Sequence, residues 1–563
     1  MATHEEAAVS LKRDVGFFGL LWSSTGSVIG SGWLFSALIA TTLAGPSALI
    51  SWGIAAVIVA FIALVYAELG GMFSIAGGAS RYPHFAFGTL AGESFGWFAY
   101  VQAASVAPIE VLAAIQYTST ISWASGLYDG STGTLRGPGY IVAVVLMVCF
   151  TALNLVGIRW LSKVNSGITG WKIAIPTLTI VVLLVTQFHG ANFTGGGGFF
   201  ASVSNGFSSG GFKAILLTIP LGGIVFSFLG FEQAVEWGGE SKNPQKDLPR
   251  AVLLSLLVGI FVYVGAQVAF IAALDPATLH QYGWAGLAKD STLASAPFAT
   301  VATIAGLSWL AWILRADAII SPTGTSLIYL TSTSRVSYSL SRLGYLPRVF
   351  EKTSTKTRIP VVSVIFSSII GLAFLLPFPS WGKLVGVVTS AAVLMYAGAP
   401  LALGALRLQK PDMARSYRLP AAGVLAPLAF ICANFIVYWA GWQTYSTLMV
   451  VMIFGWLVMA ATRVFHLNDK VPTFEWKSGV WFLGYLLGMG VISFYGGFGP
   501  GGMLGGIGIF HNILVGGQGQ LPLYWDLLVL AIFNLVIYYW ALHSRLRVED
   551  VDAKIASSLQ ESL

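Results

Sequence analysis

The sequence predicts an all-α polytopic membrane protein with about fourteen transmembrane helices. Three observations favour this fold class. Hydrophobic residues make up 56% of the 563-residue chain, charged residues make up only 9%, and the apolar residues gather in runs long enough to cross a bilayer. A soluble domain carries about 25% charged residues, so a string of water-soluble domains is excluded. The formal charge of +7 is spread over short loops, which does not favour a nucleic-acid partner.

Apolar windows separated by short polar loops place the predicted spans. The windows are 15–43, 47–76, 92–124, 139–157, 165–187, 214–238, 250–274, 306–334, 359–377, 384–405, 421–441, 443–462, 479–495 and 523–543. The first window is too long for a signal-peptide core and is predicted to remain as a span. Cys149 and Cys432 both lie inside windows, and the sequence contains no recognisable disulfide framework, metal cluster or cofactor motif.

Basic residues are distributed unequally between the two sides of this topology. Most of the 30 Lys and Arg residues fall in loops on the same side as the N-terminus. The other side has only Arg136, Lys213, Lys289 and Lys383. Because basic loops resist translocation, both termini are predicted to be cytoplasmic, in a multi-pass protein of the plasma membrane.

The first and sixth spans contain glycine-interrupted segments that favour broken helices. Span one contains Ser27 to Trp33 (SVIGSGW), and span six contains Ile224 to Glu232 (IVFSFLGFE). They lie five spans apart, and this odd offset inverts the second unit in the membrane, as in transporters built from inverted repeats. Glycines that merely allow close helix packing are the alternative. The matched pair favours two broken helices, since unpaired backbone at mid-membrane is tolerated where it lines a cavity.

The motifs around these breaks resemble the amino acid–polyamine–organocation superfamily of permeases over most of the first twelve spans. The matching motifs are Gly30-Ser31-Gly32, Tyr66 to Gly70, Phe226 to Glu232, Glu240 to Ala251 and Ser334-Arg335. Gly77 to His84 (GGASRYPH) and Asp317 to Gly324 (DAIISPTG) look closest to the aspartate:proton symporter branch. The resemblance implies a LeuT-type 5+5 inverted repeat with broken spans 1 and 6.

The predicted organisation has five parts. Residues 1–14 form a cytoplasmic tail, 15–187 the first inverted repeat with spans 1–5, and 188–405 the second repeat with spans 6–10. Residues 406–463 hold spans 11–12, and 464–563 hold two additional spans and a cytoplasmic C-terminal tail. The usual members of the superfamily stop at twelve spans, so we predict a packing or regulatory role for the last part.

The first break has groups suited to an α-amino acid, which carries a carboxylate and an ammonium on one carbon. The amides of Ser31 and Gly32 begin the second half of span one and point at the carboxylate, aided by the helix dipole. Gly30 has no Cβ to hold the backbone away from the ligand. The carbonyl of Val28, which ends the first half, can accept from the ammonium.

The second break and span eight complete the predicted substrate site. Carbonyls near Phe226 and Leu229 are further acceptors for the ammonium. The resemblance implies that Phe226 is a gating aromatic that covers the substrate, and that Tyr329 occupies a pocket position. The alternative for Phe226 is a core or lipid-facing side chain, since the chain has 36 Phe residues.

Charged groups inside spans are functional candidates, because each costs roughly 2.5 to 3.5 kcal/mol to insert at the membrane centre. The resemblance implies that Lys172 in span five replaces the sodium ion of sodium-coupled relatives. Burial disfavours its charge while a nearby carboxylate favours it, so the amine can be poised to release a proton. Glu110 resembles the carboxylate that partners such a lysine. The alternatives are a Lys172 that snorkels to the inner surface and a Glu110 bonded only for packing.

Three glutamates of span six, Glu232, Glu236 and Glu240, are spaced by four residues and would stack on one helix face. We predict that they line the inward vestibule, that Glu232 is protonatable, and that Glu240 caps the helix near Asn243. Gly238 and its neighbour Gly239 are predicted to end the helix early.

Other charged residues have weaker predictions. Arg315 and Asp317 lie two residues apart in span eight and point away from each other, so each needs another partner. A gate or rim position is favoured for them, and a ligand for an acidic substrate side chain is the alternative for Arg315. Glu68 is predicted to tie span two to a cytoplasmic loop.

Together these features predict a secondary active transporter that imports a small amino acid with a proton by alternating access. The predicted partners are the amino acid, the proton and the lipid bilayer. The alternatives are an amino acid exchanger, a sodium-coupled symporter, and a non-transporting nutrient sensor on a transporter fold. An enzyme is disfavoured, because the seven histidines are scattered and no His-Glu-x-x-His motif is present.

Overall fold

The computed structural model describes residues 15–560, apart from 74, 76, 157, 201–211, 356, 358, 377–379, 471, 499–515 and 518. The predicted N-terminal tail, residues 1–14, lies outside the described residues.

The first part of the chain forms helices that are interrupted by one small hairpin. Its elements are α1 (Phe17–Val28), α2 (Gly32–Ala44), α3 (Ala48–Met72), α4 (Gly78–Phe87), α5 (Thr89–Thr118), the strands β1 (Tyr128–Asp129) and β2 (Thr134–Leu135), α6 (Gly137–Val156), α7 (Ile158–Thr186), α8 (Phe212–Leu221), α9 (Ile224–Phe228), α10 (Gln233–Glu236) and α11 (Pro244–Ala273). The two strands pair antiparallel, with Tyr128 opposite Leu135.

The named elements of the second part are all helices within the residues that the structure describes, and an isolated antiparallel bridge joins Thr353 to Pro360. Its helices are α12 (Pro276–Gly286), α13 (Ser291–Ser295), α14 (Pro297–Ile304), α15 (Ser308–Arg342), α16 (Val361–Phe374), α17 (Trp381–Gln409), α18 (Ala422–Trp439), α19 (Trp442–Val464), α20 (Trp476–Gly479), α21 (Trp481–Tyr495), α22 (Trp525–His543) and α23 (Val548–Gln560). Short 3₁₀ turns lie at Gly45–Ser47, Ser122–Ala124, Gly190–Phe193, Gly238–Glu240, Leu287–Lys289 and Arg348–Glu351.

Each predicted span coincides with a helix or a broken helix, so the predicted all-helical membrane fold is confirmed. By length and composition, ten helical segments of the described chain qualify as membrane spans, and one of them, Phe17–Met72, holds the first two predicted spans. Three predicted spans do not qualify alone. Span six is broken, α15 is rich in Ser and Thr, and α16 is only 14 residues long.

Both predicted breaks are present. Between α1 and α2 the chain leaves helical geometry at Ile29, with φ −91° and ψ 89°, and resumes it at Gly32. Span six is interrupted twice, once on each side of α9. Gly223 has a φ of +76° before α9 and Gly230 a φ of +118° after it. The predicted break at 224–232 therefore contains a short helix that the sequence did not indicate.

The core of the bundle is α5, which is buried along nearly its whole length. It packs against α15, α17, α4 and α16, while α3 packs along α11 and α1 lies between α11 and α7. We call the end of the bundle where α1 begins the basic end, because Arg81, Arg335 and Arg407 lie there. The opposite end, which carries the β1–β2 strands, is the hairpin end.

Three regions contain helices that the span prediction did not include. These are α4, the group α12–α14 and α23. They range from 5 to 13 residues, and the most polar, α4 and α23, bury side chains against the bundle without crossing it. Apolar windows of membrane length cannot reveal such helices, because their stability comes from tertiary packing.

Candidate functional site

The two broken helices cross each other and are joined by serine hydroxyls on both sides of the breaks. On the side of the basic end, Ser24 Oγ donates to the Phe231 carbonyl at 3.1 Å and accepts from the Ala234 amide at 2.9 Å. On the side of the hairpin end, Ser36 Oγ lies 2.9 Å from Ser227 Oγ and 3.1 Å from the Gly223 carbonyl oxygen. The breaks are thus held in a fixed mutual position.

Glycine is required where the two breaks touch. A Cβ on Gly230 would lie 2.6 Å from Ser27 Cβ and 2.7 Å from the Val28 nitrogen. A Cβ on Gly32 would lie 2.6 Å from Ser227 Oγ. Such contacts are too short for carbon atoms, so the close approach of the two backbones depends on missing side chains.

A cavity lies between the breaks and helices α5 and α15. Its lining residues are Ser27, Val28, Gly30, Gly32, Val106, Glu110, Phe226, Leu229, Thr325 and Tyr329. Most of the residues predicted to bind substrate therefore surround one space. Ser31 is the exception, although its backbone amide bonds the cavity residue Glu110.

An internal carboxylate occupies the Ser31 amide, which corrects the expectation that this amide is free. Glu110 Oε2 accepts from the Ser31 amide at 2.8 Å, and Glu110 Oε1 accepts from Ser31 Oγ at 3.0 Å. The Glu110 side chain is 1% exposed. A carboxylate held at the N-terminus of α2 satisfies the unpaired amide and the helix dipole together.

The Val28 carbonyl also has a protein partner, which corrects the expectation that it is free. Tyr263 of α11 donates its hydroxyl to this oxygen at 2.6 Å. The Phe226 carbonyl accepts from the Leu229 amide at 3.1 Å within the turn that follows α9. A carbonyl oxygen has two lone pairs, so both groups retain the capacity to accept a second hydrogen bond.

Phe226 and Trp381 form an aromatic cover on one side of the cavity. The two rings meet edge to face, with centroids 5.6 Å apart. Trp381 Nε1 donates to Ser31 Oγ at 2.8 Å, so α17 is connected to the first break. Phe226 is buried inside the protein and does not face lipid, which removes the lipid-facing alternative.

Lys172 is completely buried and bridges two helices. Its Nζ donates to the Gly26 carbonyl of α1 at 2.5 Å and to Thr325 Oγ1 of α15 at 2.6 Å. Its side chain is 0% exposed, so it does not snorkel to a surface. Gly324 leaves room for it, because a Cβ there would lie 3.2 Å from Nζ.

Glu110 is a neighbour of Lys172 but not its direct hydrogen-bond partner. The position that a Gly30 Cβ would occupy is 2.7 Å from Glu110 Oε1 and 2.9 Å from Thr325 Oγ1. Thr325 also accepts from Lys172. The Lys172 amine and the Glu110 carboxylate therefore both lie near the Thr325 hydroxyl, next to the first break.

Glu232 sits just past the second break and holds its backbone. Its carboxylate accepts from the Gly230 amide at 2.9 Å, from Tyr396 Oη at 2.7 Å and from Gln233 Nε2 at 3.1 Å. Tyr329 Oη lies 3.5 Å from Glu232 Oε1, so a cavity residue contacts this group. The predicted substrate residue and the predicted proton carrier are thus neighbours.

The predicted glutamate ladder is wrong beyond Glu236. The helix α10 ends at Glu236, as Gly238 and Gly239 led us to expect, and Glu240 lies in the following 3₁₀ turn. Glu240 does not cap a helix at Asn243. It instead accepts from Arg335 Nε at 3.0 Å and from its second terminal nitrogen at 2.9 Å, and both side chains are buried.

Asp317 and Arg315 have separate environments, as their spacing predicts. Asp317 is buried and accepts from Trp33 Nε1 at 3.1 Å, from Trp171 Nε1 at 2.8 Å and from Ser321 Oγ at 2.5 Å. Arg315 is half-buried and its guanidinium lies 5.2 Å from the centre of the Trp312 ring. Neither residue lines the cavity.

Glu68 connects α3 to the loop that follows α17, as the sequence predicts for a contact between span two and a loop. Its two carboxylate oxygens accept from Arg407 at 2.9 and 2.6 Å and from the Leu419 amide at 2.7 Å, and Arg415 Nε lies at 3.1 Å. The contacts join α3 to the end of α17 and to the segment after it.

Thr325, Tyr263 and Trp381 are among the residues of the site that the sequence did not predict. Thr325 follows directly after the Asp317 to Gly324 motif, and this position was the one available signal. Tyr263 and Trp381 are single aromatic residues in apolar helices, and such residues are too common in membrane helices to stand out. Only their contacts with the two breaks identify them.

The fold and the site define a membrane transporter with a central cavity between two discontinuous helices. The sequence profile of the amino acid permease family matches residues 15–459. The chain belongs to this family, within the amino acid–polyamine–organocation superfamily, so the resemblance is confirmed. Members of the family are transporters, and the protein is accordingly a transporter and not an enzyme.

Three curated proteins of Bacillus subtilis (strain 168) illustrate the relationship. The glutamate/serine transporter AimA is 37% identical over 556 residues, which cover 97% of this chain and 97% of the relative. The aspartate-proton symporter is 33% identical over 544 residues, covering 96% and 98%. The branched-chain amino acid permease BcaP is 27% identical over 466 residues, covering 80% of this chain and 92% of that protein. The first two relatives are therefore similar along almost the whole chain.

Proposed function

We propose that the protein imports an amino acid together with a proton by alternating access across the plasma membrane. Both termini would then be cytoplasmic, as the distribution of basic residues suggests. Residues 15–187 and 188–405 would act as the two inverted repeats that move around the cavity. Amino acid transport itself is the activity of the family.

The single observation that carries the coupling proposal is the carboxylate of Glu110 on the Ser31 amide. The N-terminus of a helix is a site for anions, and it is the group to which a substrate carboxylate would bind. Glu110 and the substrate would therefore compete for one position. Protonated Glu110 is neutral and a weaker acceptor, so taking up a proton would free the amide for the substrate.

Lys172 supports this proposal by its position. Its amine uses the Gly26 carbonyl of the first broken helix, where a bound cation would otherwise find an oxygen ligand. It also bonds Thr325 of α15, so any change in its charge acts on two helices that must separate during transport. An amine in this position favours proton coupling over sodium coupling.

The proposed substrates are amino acids with acidic or hydroxyl side chains. The relatives named for glutamate, serine and aspartate are similar along almost the whole chain. The cavity offers hydroxyl groups at Ser27, Thr325 and Tyr329, which can donate to a carboxylate or a hydroxyl. Arg315 does not line the cavity, so recognition of an acidic side chain would depend on neutral donors.

Lys172→Ala tests the coupling in proteoliposomes. We expect the variant to fold but to lose uptake that is driven by an imposed pH gradient, because the amine that links α1 to α15 is gone. Lys289→Ala is the matched control, since Lys289 is exposed at the hairpin end. Uptake by Lys172→Ala that still follows the proton gradient would contradict the mechanism.

The same vesicles separate the alternatives. Uptake that requires sodium would favour a sodium-coupled symporter, and uptake that requires an amino acid on the opposite side would favour an exchanger. Binding without uptake would favour a nutrient sensor. A thermal-shift screen of the twenty amino acids at two pH values identifies the substrate, because a ligand stabilises the folded state to which it binds.

A further inference from the structure

The chain beyond the family profile returns to the basic end and contacts α4. The profile ends at residue 459, whereas α22 and α23 follow it. At the junction of α22 and α23, the Leu546 amide donates to the Ala86 carbonyl at 3.0 Å. Gln409 Nε2 donates to the same carbonyl at 3.1 Å and to the Leu546 carbonyl at 2.8 Å. One amide thus joins the ends of α4 and α17 to the C-terminal segment.

The helix α23 then lies against α4 and buries an apolar side chain of its own. Arg81 of α4 donates to Ser558 Oγ at 2.9 Å, and Val551 is 0% exposed. Lys554 Nζ lies 2.9 Å from Glu475 Oε1, and Glu475 Oε2 accepts from the Thr89 amide at 3.0 Å. Lys554 is therefore connected through Glu475 to the start of α5, directly after α4.

The other side of α4 contacts the basic end, which is closed in that Glu240, Arg335 and Ser339 are all buried there. The Gly77 amide donates to the Glu236 carbonyl at 3.1 Å, which joins α4 to the end of broken span six. A Cβ on Gly77 would lie 2.7 Å from Ser339 Cβ, so α4 begins in direct contact with α15. The buried Arg335–Glu240 pair lies at this same end of α15. α4 is therefore held between the closed end and α23.

We propose that α23 is an intramolecular latch whose docking surface is α4, and that its release is required for the basic end to open. Movement of α4 away from α15 breaks the Gly77 contact and uncovers Ser339. Such movement also requires the Ala86, Arg81 and Glu475 contacts with the C-terminal segment to part. The latch acts on the opening step and makes no contact with the cavity.

Val551→Asp tests the latch, because it places a charge in the buried face of α23 far from the cavity. Ala553→Asp is the matched control, since it adds the same charge at an exposed position two residues away. The readout is the rate at which a thiol reagent labels Ser339→Cys in detergent, in a Cys149→Ser background. Cys149 is exposed, while Cys432 is buried. Hydrogen exchange over residues 548–560 reports undocking of the helix.

We expect Val551→Asp to speed exchange in 548–560 and to raise the labelling rate about fivefold or more, because labelling follows the population of the open state. Ala553→Asp should change neither by more than about twofold. Undocking without faster labelling would overturn the latch. A chain that ends at Arg547 is the second variant, and loss of the folded state in both would also overturn it in favour of a purely structural role.

The labelling experiment does not depend on the proposed function. It needs neither an amino acid nor a pH gradient, so it gives the same result if the carried solute or the coupling ion differs from our proposal. Faster labelling combined with absent proton coupling would retain the latch and reject the coupling mechanism.

Discussion

Replacing Gly230 with alanine tests the crossing of the two broken helices most severely. The residue has a φ of +118°, a conformation that alanine rarely adopts. The added Cβ would lie 2.6 Å from Ser27 Cβ and 2.7 Å from both the Ser27 carbonyl carbon and the Val28 nitrogen. Two of these three atoms belong to the backbone, which cannot rotate away, so the two breaks must move apart.

The expected cost has two parts. Strained backbone at one residue costs about 1–3 kcal/mol. Overpacking against a rigid surround costs a further 1–3 kcal/mol or so. The folded state should therefore lose about 2–6 kcal/mol. The displacement separates the groups around the cavity, so we expect substrate binding to be lost as well.

The assay combines the melting temperature in detergent with uptake in proteoliposomes. Gly170→Ala is the matched control, because Gly170 is an exposed residue of α7 with no atom within 4 Å of an added Cβ. Alanine there should be neutral or stabilising by up to about 1 kcal/mol. If Gly230→Ala melts and transports like Gly170→Ala, the breaks do not touch as described.

Three further predictions concern the closed basic end and the aromatic cover. Arg335→Leu should lower the melting temperature strongly, because an unpaired buried Glu240 costs about 3–5 kcal/mol. The control Arg136→Leu removes an ion pair whose arginine is half-exposed, and it should cost no more than about 1 kcal/mol. Equal melting temperatures for the two variants would contradict the buried pair. Trp381→Phe should weaken substrate binding about two- to tenfold in equilibrium titration, because it removes one neutral hydrogen bond to Ser31, and unchanged affinity would exclude Trp381 from the site. Burial raises the pKa of Glu475, but hydrogen bonds from Lys554, Thr473 and the Thr89 amide outweigh it and hold that pKa below its ordinary value of 4.5. The stabilisation that ionised Glu475 gives to the docking of α23 is therefore fully present above pH 4.5 and is lost as the pH falls through the folded pKa. A nitroxide on Ala553→Cys should become more mobile on acidification. Mobility that depends equally on pH in Glu475→Gln would contradict this explanation.

Features with a local signal could be predicted from the sequence. The breaks are marked by glycines: Gly230 has a φ of +118°, which other residues rarely adopt, and Gly30 and Gly32 lie where a Cβ would have no room. The burial of Lys172 follows from its position inside an apolar run, since a charge there must face the protein interior. Most of the cavity lining could also be predicted, because it consists of residues at or next to the two breaks.

Contacts between distant segments could not be predicted in the same way. Glu110 bonds Ser31, which lies 79 residues earlier, and Arg335 bonds Glu240, which lies 95 residues earlier. No spacing rule links such residues, because helix packing alone brings them together. The glutamate ladder stops at Glu236, where the helix ends as Gly238 and Gly239 predict, and the pairing of Glu240 with Arg335 is again a contact between distant segments.

The most direct test of the central claim is the proton uptake that accompanies amino acid binding. Purified protein in weakly buffered detergent is mixed with glutamate, aspartate or serine, and a pH indicator reports the protons bound. If the substrate carboxylate displaces Glu110 from the Ser31 amide, the wild-type protein should take up about one proton per amino acid, and Glu110→Gln should take up none. Binding by the wild-type protein without proton uptake, or equal uptake by Glu110→Gln, would contradict the account.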